Sequence, residues 1–236
     1  MKKQFIAVFI FLSYCVIHSH TQAQETSIQK TFSWKADDMQ KLYLSGYFQV
    51  ELVKGSEEKI MMIASEEIKN QMKVQVSKGK VHIKGNAKTL KRMASQRVKI
   101  QVYYKQLEAI SARDQVNLIG KDFIQSEEFD LVVIGESRVE LKVKTKDLKA
   151  WIRRGSQVWL EGTSNAFQAK IRTGSLLRAS QLKTKVCRVS ARDESKASVF
   201  VQEAIYISTK TGGLIEYRGN PGKVAKWGGI SLNIEF

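Results

Sequence analysis

The sequence contains almost no proline, very little cysteine or histidine, and no long hydrophobic run beyond its first residues. Among 236 residues there are one Pro, two Cys and three His, and beyond residue 23 only Cys187 and His82 remain of the last two types. A lone cysteine excludes an intramolecular disulfide framework, so stability must come from burial and backbone pairing. A lone histidine leaves the chain without the usual neutral-pH base and without a metal-binding cluster. We therefore predict a non-enzyme with no catalytic residues, no metal and no cofactor.

The first residues have the composition of an export signal. Two lysines near the start precede the apolar run "FIAVFIFL", and "TQA" then supplies a small-residue cleavage site. This order predicts a secretory signal peptide over residues 1–23 and a mature chain of residues 24–236. The apolar run is too short for a membrane span, and we expect no transmembrane segment in the mature chain. The expected location is the periplasm, the outer membrane surface or the extracellular space.

Lipid attachment at Cys15 is the alternative to simple cleavage, because "LSYC" loosely resembles the processing motif of a lipoprotein. Tyr14 is large where that motif takes a small residue, so we favour cleavage after Ala23. Both routes export the chain.

Acidic residues are the minority among the charged ones. Lys and Arg number 39 against 23 Asp and Glu, which gives a net charge of +16, and removal of two lysines with the signal peptide leaves +14. A charge of this size attracts anionic partners. No nucleic-acid-binding motif is present, and an exported protein rarely meets nucleic acid, so we expect no partner of that class. The expected partners are an anionic polysaccharide or lipopolysaccharide, and the oligomeric state stays open.

A repeat with a period near 20 residues covers the second half of the chain. Its clearest copies are "WIRRGSQVWLEG" and "KIRTGSLLRASQ". Successive copies are 23, 19, 19, 20 and 18 residues apart, a spacing typical of solenoid proteins. The anchor positions used for these distances are Asp114, Ser137, Ser156, Ser175, Ser195 and Gly213.

Apolar residues alternate on both sides of each anchor, as they do in strands with one buried face. After the anchors the inward positions are Val116/Leu118, Val139/Leu141, Val158/Leu160, Leu177/Ala179, Ala197/Val199 and Ile215/Tyr217. Before them come Phe129/Leu131/Val133, Leu148/Ala150/Ile152, Phe167/Ala169/Ile171, Cys187/Val189/Ala191 and Ile205/Ile207/Thr209. Each unit is two short strands and a bend, and stacked units bury what one unit cannot. We predict an all-β fold, a parallel β-solenoid (β-helix) of about six short rungs, with Gly-Ser bends where positive φ is needed.

The pattern predicts that the rest of the mature chain belongs to the same domain. Residues 24–105 contain further alternating runs, such as the hairpin signal around Lys78-Gly79, and we interpret them as an N-terminal capping β region. Residues 106–236 form the solenoid repeats. Ile230, Leu232 and Ile234 predict a C-terminal closing strand.

The chain resembles the bacterial head GIN domain family, whose members are described as auto-transporter adhesin-like. The resemblance rests on the opening "LYLSGYFQVELVKGSEE", on "LEAISARDQVNLIG", on the G-S bends in "RRGSQV" and "RTGSLL", and on the closing "EYRGNP". It implies an exported, right-handed β-solenoid of the bacterial envelope. The family carries no established activity, so the resemblance transfers no catalytic residues.

Basic residues recur three places before the bends, and stacked rungs would align them in a row. We call this row the basic ladder; its members are Arg153, Arg172, Arg192 and Lys210. Trp159 and Arg178 project outward from adjacent rungs, and we interpret them as an aromatic and a guanidinium beside the strip. Such a strip suits a repeating polyanion. The alternative is a solvated basic face without a ligand.

The favoured function is a non-catalytic, adhesin-like envelope protein that binds anionic glycan or lipopolysaccharide. A polysaccharide lyase-like enzyme acting on an acidic glycan is the alternative, since β-helices with basic residues also carry that activity.

Overall fold

The computed structural model describes residues 29–93, 97–228 and 231–233, and most of these residues lie in β-strands. Five long strands, β9 to β13, carry the repeats, and shorter strands with two helices form the ends. In chain order the elements are β1 (Lys30–Lys35), β2 (Lys41–Ser45), β3 (Phe48–Lys54), β4 (Lys59–Ala64), α1 (Glu66–Asn70), β5 (Met72–Ser77), β6 (Lys80–Gly85), α2 (Ala87–Met93), β7 (Val98–Tyr104), β8 (Ala109–Arg113), β9 (Asn117–Ile134), β10 (Arg138–Arg153), β11 (Gln157–Arg172), β12 (Leu176–Arg192), β13 (Lys196–Lys210), β14 (Leu214–Arg218), β15 (Lys223–Gly228) and β16 (Ser231–Asn233).

The strands form two hydrogen-bonded layers that share the five long strands. Sheet 1 has the order β1-β4-β7-β3-β9-β10-β11-β12-β13-β14-β16. Sheet 2 has the order β5-β6-β2-β8-β9-β10-β11-β12-β13-β15. The first half of each long strand lies in sheet 1 and its second half in sheet 2, and neighbouring coils pair in parallel. The architecture is a β-solenoid of about 6 turns, which confirms the fold predicted from the repeat.

The core is a column of inward side chains between the two sheets. Every position that the alternation predicts to face inward is buried. One vertical row consists of Phe129, Leu148, Phe167, Cys187 and Ile205, stacked by strand pairing. Burying each large apolar side chain stabilises the fold by about 1.5–3 kcal/mol. Stacking therefore replaces the disulfides that the sequence lacks.

Each coil turns at a corner where two successive residues have positive φ. Gly155 at 69° and Gly174 at 63° illustrate why glycine recurs there, because this region is unfavourable for residues with a Cβ. The serine that follows seals the corner: the Ser156 hydroxyl donates to the carbonyl of Arg153 at 2.8 Å, and Ser175 does the same to Arg172. The repeated Gly-Ser is thus a hydrogen-bonded corner.

Strand pairing corrects two details of the repeat. Arg138 pairs with Asn117, so the residue equivalent to Ser137 is Val116, and the first anchor was placed two residues too early at Asp114. A second corner, absent from the predicted unit of two strands and a bend, lies near Thr145, whose hydroxyl donates to Ser164 at 3.0 Å. The chain continues through this corner without leaving its strand.

The N-terminal end combines predicted and unpredicted elements. The hairpin around Lys78-Gly79 is confirmed as β5 and β6, paired antiparallel. Residues 87–93 lie in the region interpreted as capping β strands but form the helix α2, because Asn86 accepts a hydrogen bond from the Thr89 amide at its start and Leu90 is fully buried. The alternating run over residues 42–53 breaks into β2 and β3 where the chain passes from sheet 2 to sheet 1.

At the C-terminal end, β15 pairs with β13 in sheet 2 and β16 pairs with β14 in sheet 1. Leu232 lies in β16 opposite Glu216. The other two residues of the predicted closing strand, Ile230 and Ile234, lie outside the described residues.

The Tyr104 hydroxyl at the end of β7 is buried without a hydrogen-bond partner in the described part of the chain. Burial, with a smaller effect of the Asp122 carboxylate, raises the pKa of Tyr104 to about 12. We expect Tyr104→Phe to stabilise the protein by about 1 kcal/mol, since an unpaired buried hydroxyl is costly. The unfolded tyrosine ionises near pH 10, so the native protein should lose stability as the pH rises from about 10 to 12, and the variant should lose less. Urea unfolding at pH 7 and pH 11 measures both effects, and a destabilised variant at pH 7 contradicts the prediction.

Candidate binding face

The basic ladder lies on the outer face of sheet 2. Arg153 pairs directly with Arg172, and Arg192 pairs directly with Lys210. Ile171 pairs with Ala191, which places Arg172 and Arg192 on adjacent strands in the same row. Neighbouring strands are about 4.8 Å apart, so the row presents one positive charge per strand over four coils.

The row continues below the residues named in the sequence analysis. On the strand next to Arg153 the row holds the apolar residue Ile134, and on the strand after that it holds Arg113. The next basic residue of the row is therefore Arg113, two strands from Arg153. Arg113 was missed because the first repeat anchor was misplaced. Its guanidinium donates to the Ser111 hydroxyl at 3.1 Å, which directs it along the outer face.

The basic ladder forms no ion pair within the described residues. The ion pairs found in that part of the chain involve none of its four members. In addition, Nε of Arg192 is buried and makes no hydrogen bond there. Like charges one strand apart repel, so the free protein bears an electrostatic cost that a bound anion would remove.

Sheet 1 is different, because several of its outer charges are paired. Arg138 contacts Glu140 at 2.9 Å, and Lys142 lies 3.6 Å from Glu161. Hydrogen bonds from Lys121 and Gln101 lower the pKa of Glu51 on the same face. Ion pairs therefore offset part of the positive charge on sheet 1, whereas the ladder on sheet 2 has none among the described residues.

Corner hydrogen bonds from serine hydroxyls fix the backbone of two ladder residues. At two ladder residues the serine hydroxyl of the corner donates to the carbonyl three positions earlier, from Ser156 to Arg153 and from Ser175 to Arg172. The same bond joins Ser137 to Ile134 at 3.0 Å. Because the bond ends on the ladder residue itself, the repeated corner geometry aims the Arg153 and Arg172 side chains in the same direction.

Trp151 lies on the same face, two residues before Arg153, and is 43% exposed. It helps to line a groove of about 360 Å³. Within the described structure its ring makes no stacking or cation–π contact. The complete lining of this groove is Arg113, Val132, Ile134, Trp151, Arg153, Lys170 and Arg172. An open aromatic ring among cations is suited to an anion that also has an apolar surface.

Trp159 and Arg178 do not lie beside the basic ladder, and that part of the sequence interpretation is wrong. They are paired neighbours on sheet 1, beyond the corner that separates the two faces. Two guanidinium groups lie over the Trp159 ring, from Arg138 at 4.3 Å and Arg178 at 5.6 Å. The separate groove of about 440 Å³ that they line also contains paired charges. The aromatic residue next to the ladder is Trp151.

The remaining candidate residues serve the fold. Cys187 lies in the core, and burial raises the pKa of its thiol to about 12. His82 stacks on Tyr43, with ring centroids 4.5 Å apart. Across residues 29–93, 97–228 and 231–233, no three His, Cys, Asp or Glu side chains are grouped as metal ligands. No helix in that same part of the chain has the length and apolarity to cross a membrane.

Comparison with known proteins gives one family and several similar structures. The sequence profile of the family described as "Putative auto-transporter adhesin, head GIN domain" matches residues 38–221. A structure from Bacteroides fragilis described as "a putative adhesin" aligns with a TM-score of 0.76 at 15% identity, covering 89% of this chain and 95% of that chain. A "putative adhesin" from Parabacteroides merdae aligns with a TM-score of 0.66 at 14% identity, covering 89% and 98%. No curated protein matches the sequence significantly.

A third structure, from Parabacteroides distasonis, is described as a "putative lipid binding protein" and aligns with a TM-score of 0.65 at 12% identity, covering 89% of this chain and 98% of that chain. At such identities the similarity shows a shared fold.

Proposed function

The chain belongs to the head GIN domain family, and on that premise we propose that it is an exported, non-catalytic binding protein of the bacterial envelope whose basic ladder holds repeated anionic groups. The adhesin-type description of the family and of similar structures supports a surface protein. Export is supported by the signal-peptide pattern of residues 1–23, which lie outside the described residues.

The observation that carries the proposal is the row of cations with no acidic partner on the outer face of sheet 2. Arginine presents its donors in a planar fork that fits carboxylate and phosphate groups. Three of the four ladder residues are arginines on adjacent strands. A ligand with anionic groups at regular intervals can contact several of them at once, and each added contact then needs no separate binding event.

Two envelope ligands supply such groups. Acidic polysaccharides carry carboxylates along a chain, and lipopolysaccharide carries phosphates on a compact core. The ladder chemistry is the same for both, so the binding test needs one arm for each source and a neutral glucan as control.

The test is a titration of the purified protein with polygalacturonate, with lipopolysaccharide and with dextran over a salt series. We expect saturable binding to at least one anionic ligand and none to dextran. The affinity should fall steeply between about 50 and 500 mM salt, because screening weakens exposed charge contacts. Absence of binding to both anionic ligands at low salt contradicts the proposal.

A further inference from the structure

A row that contains two serines runs parallel to the basic ladder on sheet 2 and has a tryptophan at each end. Successive strand pairs are Trp151 with Lys170, Lys170 with Ser190, Ser190 with Ser208, and Ser208 with Trp227. We call these five residues the tryptophan furrow. Four strand spacings separate its ends, a distance of about 19 Å.

Larger side chains stand on both sides of the furrow. One wall is the basic ladder. The other wall is the next outward row, in which the strands pair Lys149 with Gln168, Gln168 with Arg188, and Arg188 with Tyr206. Since the two serines are much shorter than these neighbours, the middle of the furrow lies lower than its walls. Grooves of about 360 and 280 Å³ open on the face, and both include Lys170.

The two ends expose aromatic surface. Trp151 is 43% exposed and Trp227 is 59% exposed, so both leave apolar area in water. The Trp227 ring is stacked on Tyr206 at 6.5 Å and 10°, and the Arg188 guanidinium lies 4.9 Å from the Tyr206 ring. The stacking holds the second tryptophan ring in place, and a cation lies over the tyrosine on which this ring is stacked.

The floor between the tryptophans favours a sugar chain over a lipid. An acyl chain needs continuous apolar surface, but the floor consists of a lysine and two serines. Hydroxyl groups can donate to and accept from sugar hydroxyls. The apolar C–H face of a sugar ring can lie on each tryptophan, while carboxylates reach the arginines of the wall.

We propose that the tryptophan furrow binds one extended chain of a uronic acid glycan along the solenoid axis, with a sugar ring stacked at Trp151 and another at Trp227. This inference rests on the proposed function, because it assumes that the basic ladder binds anions. It adds the ligand class, its direction and a minimum length: only a chain that spans about 19 Å, or four strand spacings, reaches both tryptophans.

The test uses oligogalacturonates of increasing length with the purified chain. Affinity should rise in a step when the oligomer becomes long enough to contact both ends. Trp151→Ala and Trp227→Ala should each weaken binding of the long oligomer by about threefold to tenfold, as expected for one aromatic contact. Binding of a dimer should change little in at least one of the two variants. Trp159→Ala, on sheet 1, is the matched control and should leave binding unchanged.

Replacement of each tryptophan by phenylalanine controls for loss of binding through misfolding. Trp151→Phe and Trp227→Phe keep a stacking ring, so they should recover most of the affinity lost in the alanine variants. If long oligomers bind through the ladder but show no length step and no loss in either tryptophan variant, the furrow inference is overturned and the proposed function stands. If lipopolysaccharide binds and oligogalacturonates do not, the furrow inference is also overturned. If neither binds, the proposed function fails.

Discussion

Replacing Arg153, Arg172 and Arg192 together with serine is expected to weaken binding to an anionic polymer by about 100-fold. One cation near an anionic surface contributes about 1 kcal/mol, and three such losses multiply to that factor. The three residues lie on adjacent strands with no acidic partner among the described residues. Their removal also relieves mutual repulsion, so the free energy of unfolding should stay equal or rise. Titration with polygalacturonate and lipopolysaccharide at fixed salt measures the loss.

A charge-matched variant separates the ladder from the general charge of the chain. Lys88, Lys183 and Lys185 are exposed and lie outside the outer rows of sheet 2. Changing these three to serine removes the same charge, and the long-range attraction of the whole protein falls by a similar amount. We expect a loss of a few-fold at most. Equal losses of affinity in the two triple variants would show that the arginines act only through the general positive charge of the protein.

Replacing Gly162 with alanine is expected to destabilise the solenoid by about 3 kcal/mol or more. Gly162 in β11 has a φ of 118°, a conformation that residues with a side chain rarely adopt. A Cβ there would also overlap the carbonyl oxygen of Val143 in the coil below and lie 3.1 Å from the Phe123 ring. Backbone cannot move aside without breaking the parallel pairing of the two coils, so strain and crowding add. Denaturant unfolding measures the change.

Gly174→Ala is the control for conformational cost alone. Its φ is 63°, but a Cβ at this corner meets no atom within 4 Å. We expect a loss of only about 1 kcal/mol. If the two variants unfold at the same denaturant concentration, the close approach of coils at Gly162 is not a determinant of stability.

The corner serines explain why the fold could be predicted from the sequence. Ser137, Ser156 and Ser175 each close an identical corner, so chemistry and spacing recur together. Alternation on both sides of them then fixed which side chains face the core. Capping at the N-terminal end was less predictable, because α2 depends on burial of Leu90 by tertiary contacts that no local pattern encodes.

The position of single side chains on the two faces was harder to predict. Extra residues enter the strands as bulges, for example around Gly120 between β9 and β10 and at Ser180 between β11 and β12. An insertion in a strand and an insertion in a corner change the repeat length equally, so the spacing alone cannot locate them. Trp159 was placed correctly on the second strand of its unit, but the spacing does not show that the corner turns this strand away from the ladder. Trp151 was overlooked although its alternation already predicted an outward side chain.

The parallel pairing of coils also has a mechanical consequence. Hydrogen bonds between coils run along the long axis. A pull along that axis therefore separates one pair of neighbouring coils before the next, and we call the set of hydrogen bonds between two neighbouring coils a seam. A pull along the strands must instead shear all the bonds of a seam together. A polymer attached to a single coil would load one seam, whereas a polymer lying across five neighbouring strands of sheet 2 spreads the same tension over several. For a surface protein under flow, the direction in which its ligand lies therefore sets the force at which the coils separate.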